Sequence, residues 1–264
     1  MAGPQRYFSD VFWHFPGSPD FPEGFWPKRP ADIFAMGLAP KEPFEGVATV
    51  EKIAESGRLL ATCSDPITND WSTNKFCCVT DIPIKDLPHH AAFYGKVAIG
   101  FKARAIYGGG FLPVQYVPEQ VLPHVEELVP APLDPAMTKV MWEFDELEWG
   151  SGSADDRAMR GIFNQARRKA EEDGTVERRV DEGALGANSL ADYLKITDFS
   201  VDPANTFYAE REWRRVGDFV FGKEDVAAVA APEEHLGVLR EALFDRLGYP
   251  ATLSVVAWEF VEGA

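Results

Sequence analysis

Apolar and polar residues alternate in short blocks along this chain, which is the pattern of half-buried β-strands. The blocks are rich in aromatic and β-branched side chains and most end at Pro, Gly or Asp, as strands commonly do. The predicted strands are residues 11–15, 47–53, 76–81, 96–103, 113–117, 210–216, 225–230 and 252–260. We read the Gly108-Gly-Gly110 triplet as a turn of a hairpin.

Three segments carry helix signals instead. Residues 31–38 are stopped by Gly37 and a following proline, and residues 87–94 have Pro88 in the first turn. Residues 232–247 begin with Pro232 and two glutamates, present a leucine stripe, and are followed by Gly248. Scattered strands with segregated helices predict an α+β fold with a mixed or antiparallel sheet.

The chain changes character between about residues 119 and 200. Residues 143–186 hold many charges and few large apolar groups, and residues 154–172 carry a helical apolar stripe. We therefore expect a single α+β domain over residues 1–264, interrupted by a charged helical insertion over about 119–200. Trp142 and Trp149 within it are candidates for a partner surface.

The composition indicates an ordinary globular protein with a strongly acidic surface. The 264 residues carry a formal net charge of −16. Such a charge repels phosphate backbones, so nucleic-acid binding by this chain alone is disfavoured and a cationic protein partner is favoured. No apolar run reaches the roughly 18 residues of a membrane span, and the first residues lack the apolar core of a signal peptide. We expect a cytoplasmic protein.

The cysteines and paired histidines look like metal ligands but have the wrong spacing. Cys77 and Cys78 are adjacent on a predicted strand and therefore point to opposite faces, and three cysteines in all do not suggest a disulfide framework. His89 and His90 follow Pro88 and fit a capped helix start. We expect no metal, and we expect Asp81 to close a turn with Lys85.

Several motifs in order resemble a known family. They are His14 in the first strand, Cys78-Val-Thr-Asp-Ile-Pro83, Tyr94-Gly-Lys-Val-Ala-Ile-Gly-Phe101, Pro113-Val-Gln-Tyr116 and Glu210-Arg-Glu-Trp-Arg214. Together they resemble the AbiGi family of bacterial abortive-infection, phage-resistance proteins, which are described as antitoxins. The resemblance covers most of the chain and is weakest over residues 119–200. It implies an anti-phage defence protein that acts with a protein partner, as an antitoxin or a regulator.

The same layout is more distantly similar to ADP-ribosyltransferases, which have a split mixed sheet and use NAD. That similarity implies NAD contacts from His14 and from Thr80 or Tyr94, and chemistry by Glu212 with Glu210 beside it. The sequence has no clear Ser-Thr-Ser at the second position of the pattern. Two further functions therefore stand beside the first: an NAD-dependent ADP-ribosyltransferase or NAD-consuming toxin, and an inactive module of the same fold that only binds.

From the residues themselves, each candidate has an ordinary alternative. Glu210 and Glu212 are two apart on a predicted strand, so both would point to one face and raise each other's pKa. They could equally form a solvated strand face paired with Arg214. His14, between two aromatic residues, is either a ligand-binding side chain or a hydrogen-bonded core residue.

Overall fold

A seven-stranded sheet organises the computed structural model, which describes residues 9–22, 25–67, 72–121, 190–202 and 205–263. The strands are β1 Val11–His14, β2 Arg58–Leu59, β3 Phe76–Thr80, β4 Ala98–Lys102, β5 Leu112–Pro113, β6 Gln115–Val117, β7 Leu194–Ile196, β8 Glu212–Val216, β9 Phe219–Val220, β10 Val226–Ala231 and β11 Ser254–Ala257. The strand order of the seven-stranded sheet is β11-β10-β4-β1-β3-β8-β5, and every neighbouring pair is antiparallel except β10–β11. Two further pairs, β2–β9 and β6–β7, lie outside this sheet. The predicted α+β class with a mixed, mostly antiparallel sheet is confirmed.

Short helices cover both faces of this sheet. They are α1 Pro30–Ala35, α2 Pro43–Ser56, α3 Leu87–Tyr94, α4 Ala103–Gly108, α5 Leu236–Arg240 and α6 Trp258–Glu262. A π-helical stretch, Glu241–Arg246, continues α5. Single 3-10 turns lie at Ile84–Asp86, Glu119–Val121, Leu190–Tyr193, Phe207–Glu210, Lys223–Asp225 and Glu233–His235. None of the helices in the described ranges is long and apolar enough to cross a membrane.

Helix α2 replaces the strand expected at residues 47–53. Its buried side chains are Val47, Val50, Ile53 and Ala54, a spacing of three and four that matches one face of a helix. Pro43 begins the helix, and Gly57 ends it with a φ of 62°. The glycine triplet is not a hairpin either, because it ends α4.

The alternating side chains of the strands build two cores, one on each face of the sheet. Phe12 points into the core that α2 and α5 cover, and its neighbour Trp13 points into the core beneath α3 and α6. Trp258 is fully buried on the second side. The candidate site lies on this second face, at the ends of β1, β3 and β8.

The edge of β3 that faces β1 is interrupted, which opens a notch in the sheet. Strand β1 pairs with β3 only at Trp13 and Thr80. Two residues before Cys78 along β3, Phe76 pairs instead with Cys63. Between these two pairs, the carbonyl of Cys78 accepts a hydrogen bond from the ring of His14 at 2.9 Å.

The predicted insertion is described only at its margins. Residues 119–121 and 190–193 form 3-10 turns, and residues 194–196 form strand β7. The rest, including the predicted helices and the partner surface at Trp142 and Trp149, lies outside the described residues. Residues 1–122 and 190–264 belong to one compact unit, so β7 belongs to the same unit as the sheet.

Gly100 tests how the first strands pack. A Cβ added at this residue of β4 would lie 2.6 Å from Val11 Cγ1 and 3.0 Å from the indole of Trp13. Both side chains belong to β1, which is held between β3 and β4. Because these atoms have little room to move, we expect Gly100→Ala to destabilise the protein by about 1–3 kcal/mol in urea unfolding. Gly108→Ala is the matched control, since its Cβ would have no neighbour within 4 Å. Equal stability of the two variants would contradict this packing.

Candidate active site

A cavity of about 680 Å³ opens beside the notch. Its volume lies within the range usual for small-molecule sites, about 300–1,000 Å³. All five residues that the sequence suggested for a site line it: His14, Thr80, Tyr94, Glu210 and Glu212. The structure therefore brings the candidate residues together, although their roles remain predictions.

His14 reaches into the notch from the end of β1. Its Nδ1 lies 2.9 Å from the Cys78 carbonyl, which can only accept, so Nδ1 carries a hydrogen. Burial lowers the pKa of His14, and the smaller opposing effect of this hydrogen bond does not reverse the shift. The ring is therefore neutral at pH 7, and Nε2 keeps a lone pair that can accept a hydrogen bond.

Glu210 does not lie on the strand where it was expected. It is the last residue of the turn Phe207–Glu210, and Arg211 follows with a φ of 48° before β8 begins at Glu212. The simple alternation argument was therefore wrong, because a left-handed residue separates the two carboxylates. Both carboxylates nevertheless converge on Lys195, whose Nζ lies 2.7 Å from Glu210 Oε2 and 2.9 Å from Glu212 Oε2.

Thr80 and Tyr94 hold Glu210 in place. The Thr80 hydroxyl donates to the backbone carbonyl of Glu210, and the Tyr94 hydroxyl donates to Oε1 of its carboxylate. Thr80 is also the cross-strand partner of Glu212 on β3. Both residues given as alternatives for the second position of the motif thus contact the same glutamate.

The guanidinium of Arg214 donates hydrogen bonds to both carboxylate oxygens of Glu212. Its Nε lies 2.7 Å from Glu212 Oε1, and Nη2 lies 3.1 Å from Oε2. Nη2 also pairs with Asp65, and the guanidinium lies 4.1 Å from the centre of the Phe76 ring. The predicted pairing of the glutamates with Arg214 is present for Glu212, but the strand face is buried rather than solvated.

The pKa values of the two carboxyl groups are shifted in opposite directions. Burial alone would raise the pKa of Glu212, but the charges of Arg214 and Lys195 outweigh it and lower the pKa to about 2. Burial, together with the charge of Glu212, raises the pKa of Glu210 despite Lys195. Paired carboxylates whose pKa values diverge are a usual arrangement for acid–base chemistry. Glu212 is the fixed charge, and Glu210 is the better proton acceptor.

Other site residues were missed or misread. Lys195 lies in the stretch that we read as an insertion, and no local pattern predicts that it contributes to this site. His90 was read as part of a helix cap, but it lines the cavity between the rings of Phe15 and Tyr94, with centroids 4.6 Å and 4.4 Å away. Burial, helped by Lys195, lowers the pKa of His90 to about 3.

Asp81 also has a different partner from the one expected. It accepts a hydrogen bond from the backbone of Ser9 at 2.8 Å and pairs with Arg211 at 3.0 Å rather than with Lys85. In the described part of the chain, no group of three His, Cys, Asp or Glu residues could hold a metal ion.

The sheet, its notch and the buried charge cluster define an α+β protein with paired carboxylates suited to acid–base chemistry at the ends of β3 and β8. The family model described as "Putative abortive phage resistance protein AbiGi, antitoxin" matches residues 59–235, and the chain belongs to this family. No curated protein matches the chain significantly.

A solved structure of DarT from Thermus sp. 2.9, in complex with carba-NAD+, is similar over 95% of this chain and 97% of its own. The sequences are 11% identical and the TM-score is 0.36, a value too low to establish a shared fold.

Arg214 offers a direct test of the buried ion cluster. Arg214→Met leaves Glu212 buried without its guanidinium partner, and we expect a loss of about 3–5 kcal/mol in the free energy of unfolding. Arg246→Met removes an exposed pair with Glu51 and should cost at most about 1 kcal/mol. Adding Glu212→Leu to Arg214→Met should restore part of the stability. Similar losses in both single variants would argue against a buried cluster.

The pH dependence of stability tests the ionised state of Glu212. In the unfolded chain this carboxyl binds its proton near the ordinary pKa of 4.5, whereas the folded protein holds it off until about pH 2. Acid therefore favours the unfolded state between these values, and stability should fall as the pH drops from 4.5 to 2. In Glu212→Gln this part of the fall should be missing from urea titrations. An unchanged acid slope would contradict the lowered pKa.

Proposed function

We propose that this AbiGi-family protein acts in abortive infection as an NAD-consuming enzyme of the ADP-ribosyltransferase type. The observation that supports the proposal is the convergence of His14, Tyr94, Glu210 and Glu212 on one cavity. These residues lie far apart in the sequence, and they are the ones that the resemblance to ADP-ribosyltransferases implies for NAD binding and chemistry.

The cavity has features that fit a dinucleotide. It is large enough for a ligand of that class, and the aromatic residues Trp13, Phe15 and Phe21 lie in its wall. Nε2 of His14 can accept a hydrogen bond from a ribose hydroxyl. When bound, NAD would supply an N-glycosidic bond whose cleavage releases nicotinamide and leaves the ribose carbon open to a nucleophile.

The protein's own groups have complementary parts in this reaction. Glu212, held ionised, can accept a hydrogen bond from a hydroxyl and can stabilise positive charge that develops on the ribose. Glu210, with its raised pKa, can take the proton of an incoming water or acceptor group. Tyr94 and Lys195 orient Glu210 by hydrogen bonds to its two oxygens.

The decisive experiment measures nicotinamide release and transfer of labelled ADP-ribose from NAD in bacterial lysate. We expect Glu212→Gln to lower both rates by about 10²–10⁴-fold, the usual contribution of a positioned acid or base. Glu55→Gln, on the exposed side of α2, is the control and should keep the wild-type rate. If folded Glu212→Gln protein matches the wild type, or if the wild type is inert, the enzymatic proposal fails.

Four observations favour a second candidate, a catalytically inactive module that binds a protein partner as an antitoxin. Lys195 and Arg214 already occupy both oxygens of Glu212. Among the described residues that line the cavity, four are acidic and only two, Lys41 and Lys195, are lysine or arginine, which disfavours an anionic diphosphate. The family description includes the word antitoxin, and the net charge of −16 suits a cationic partner.

Co-expression with the products of neighbouring genes separates the two candidates. The binding module should co-purify with one of them, and the complex should weaken with added salt because opposite charges drive it. It should also change the partner's activity without releasing nicotinamide. A lone monomer that consumes NAD would rule this candidate out.

A further inference from the structure

Two thiols in the wall of the cavity have no part in the proposed chemistry. Cys63 and Cys78 both line the cavity, and Cys63 is exposed whereas Cys78 is partly buried. The third cysteine, Cys77, is buried in the opposite core. Cys63 and Cys78 therefore line the same cavity as His14.

Backbone pairing places these two side chains on one face. Cys63 and Phe76 exchange both backbone hydrogen bonds, at 3.2 Å and 2.9 Å, so their side chains lie on the same side. Phe76 and Cys78 are two apart on β3 and therefore also share that side. Cys63 and Cys78 are thus diagonal neighbours across an antiparallel pair, close enough for each thiol to influence the pKa of the other.

The pKa values of the two thiols are shifted in opposite directions. Interaction with the Cys78 thiol lowers the pKa of Cys63, although burial and nearby carboxylates act in the other direction. The same interaction, together with burial, raises the pKa of Cys78. An accessible thiol with thiolate character next to a second thiol is the usual arrangement of a redox-sensitive pair.

The geometry points to Cys63 and Cys78 as a redox modification site, which a peroxide converts into an intrachain disulfide in the cavity wall. The Cys63 thiolate attacks a peroxide oxygen, the O–O bond breaks, and Cys63 becomes a sulfenic acid while hydroxide leaves and is protonated to water. The Cys78 thiol then attacks that sulfur, an S–S bond forms, and a second water leaves. The two sulfurs lose two electrons in total, and the peroxide gains them.

Closing this bond requires a small movement. Diagonal neighbours in an antiparallel pair have Cα atoms about 7–8 Å apart, whereas a disulfide needs at most about 6.8 Å. The irregular segment that carries Cys63 would therefore shift by about 1 Å towards β3. Strand β3 is held between neighbours, so we expect the Cys63 segment to move.

The shift would affect the candidate site from two directions. Asp65, two residues after Cys63, pairs with Arg214, which in turn holds Glu212. The carbonyl of Cys78 holds the ring of His14. We therefore expect the oxidised form to bind NAD at least about tenfold more weakly than the reduced form, because the groups that would contact the ligand are displaced. This consequence rests on the proposed function, whereas the disulfide itself does not.

Peptide mapping after hydrogen peroxide treatment tests the modification. Trypsin cleaves after Lys75, so Cys63 falls on the peptide 59–75 and the other two cysteines on the peptide 76–85. We expect one cross-linked species, lighter than the two peptides by two hydrogens, that a thiol reductant separates. In Cys78→Ser the cross-link should disappear and a sulfenic-acid probe should label Cys63. Cys77→Ala should leave the cross-link unchanged.

The outcomes separate the two parts of the inference. Absence of the cross-link from folded wild-type protein, or its loss in Cys77→Ala, would overturn the assignment of the pair. A cross-link that forms without weakening NAD binding would overturn the coupling to the site. If the wild type binds no NAD in either form, the proposed function fails, and the thiol pair is still judged by the mapping alone.

Discussion

The ion pair between Glu212 and Arg214 is the interaction on which this site depends. Two charged groups buried in a sheet are costly unless each finds partners, and here the fork of the guanidinium meets both oxygens of the carboxylate. The pair fixes the ionised state of Glu212, and burial together with that charge raises the pKa of Glu210. Lys195 connects the two carboxylates and keeps the cluster close to electrical balance.

The notch in β3 gives this cluster its access to a ligand. A continuous β1–β3 ladder would bury the Cys78 carbonyl and leave no space beside Glu212. Instead His14 satisfies that carbonyl with its ring, and the cavity opens where backbone pairing is missing. The Cys63 and Cys78 thiols line the same cavity, so the feature that would admit a ligand also creates the site for oxidation.

Local signals in the sequence were enough for several elements. Helix α3 covers the predicted residues 87–94 with Pro88 in its first turn, and β1 and β3 lie close to the strands predicted at 11–15 and 76–81. Helix α2 was missed because its β-branched residues are typical of strands. The spacing of three between Val47, Val50 and Ile53, with the flanking Pro43 and Gly57, was the signal that could have decided for a helix.

The site itself was only partly predictable. His14, Tyr94, Glu210 and Glu212 were suggested by resemblance to known proteins, and their spacing in the sequence could not show that they share a cavity. The role of Lys195 could not be predicted, because a lone lysine in a charged stretch carries no local signal. Only the tertiary structure places this residue of β7 next to Glu212, the first residue of β8. The left-handed backbone conformation of Arg211 could not be predicted either, since the sequence Glu-Arg-Glu contains no glycine or proline that would indicate a break in the strand.

The most direct measurement of the central claim is calorimetric titration of NAD into the purified protein and into His14→Leu. The account predicts a saturable heat of binding for the wild type. It also predicts an affinity about fivefold to tenfold weaker in the variant, the usual effect of losing one hydrogen bond. A folded wild-type protein that gives no saturable heat, or a variant with unchanged affinity, would contradict the account.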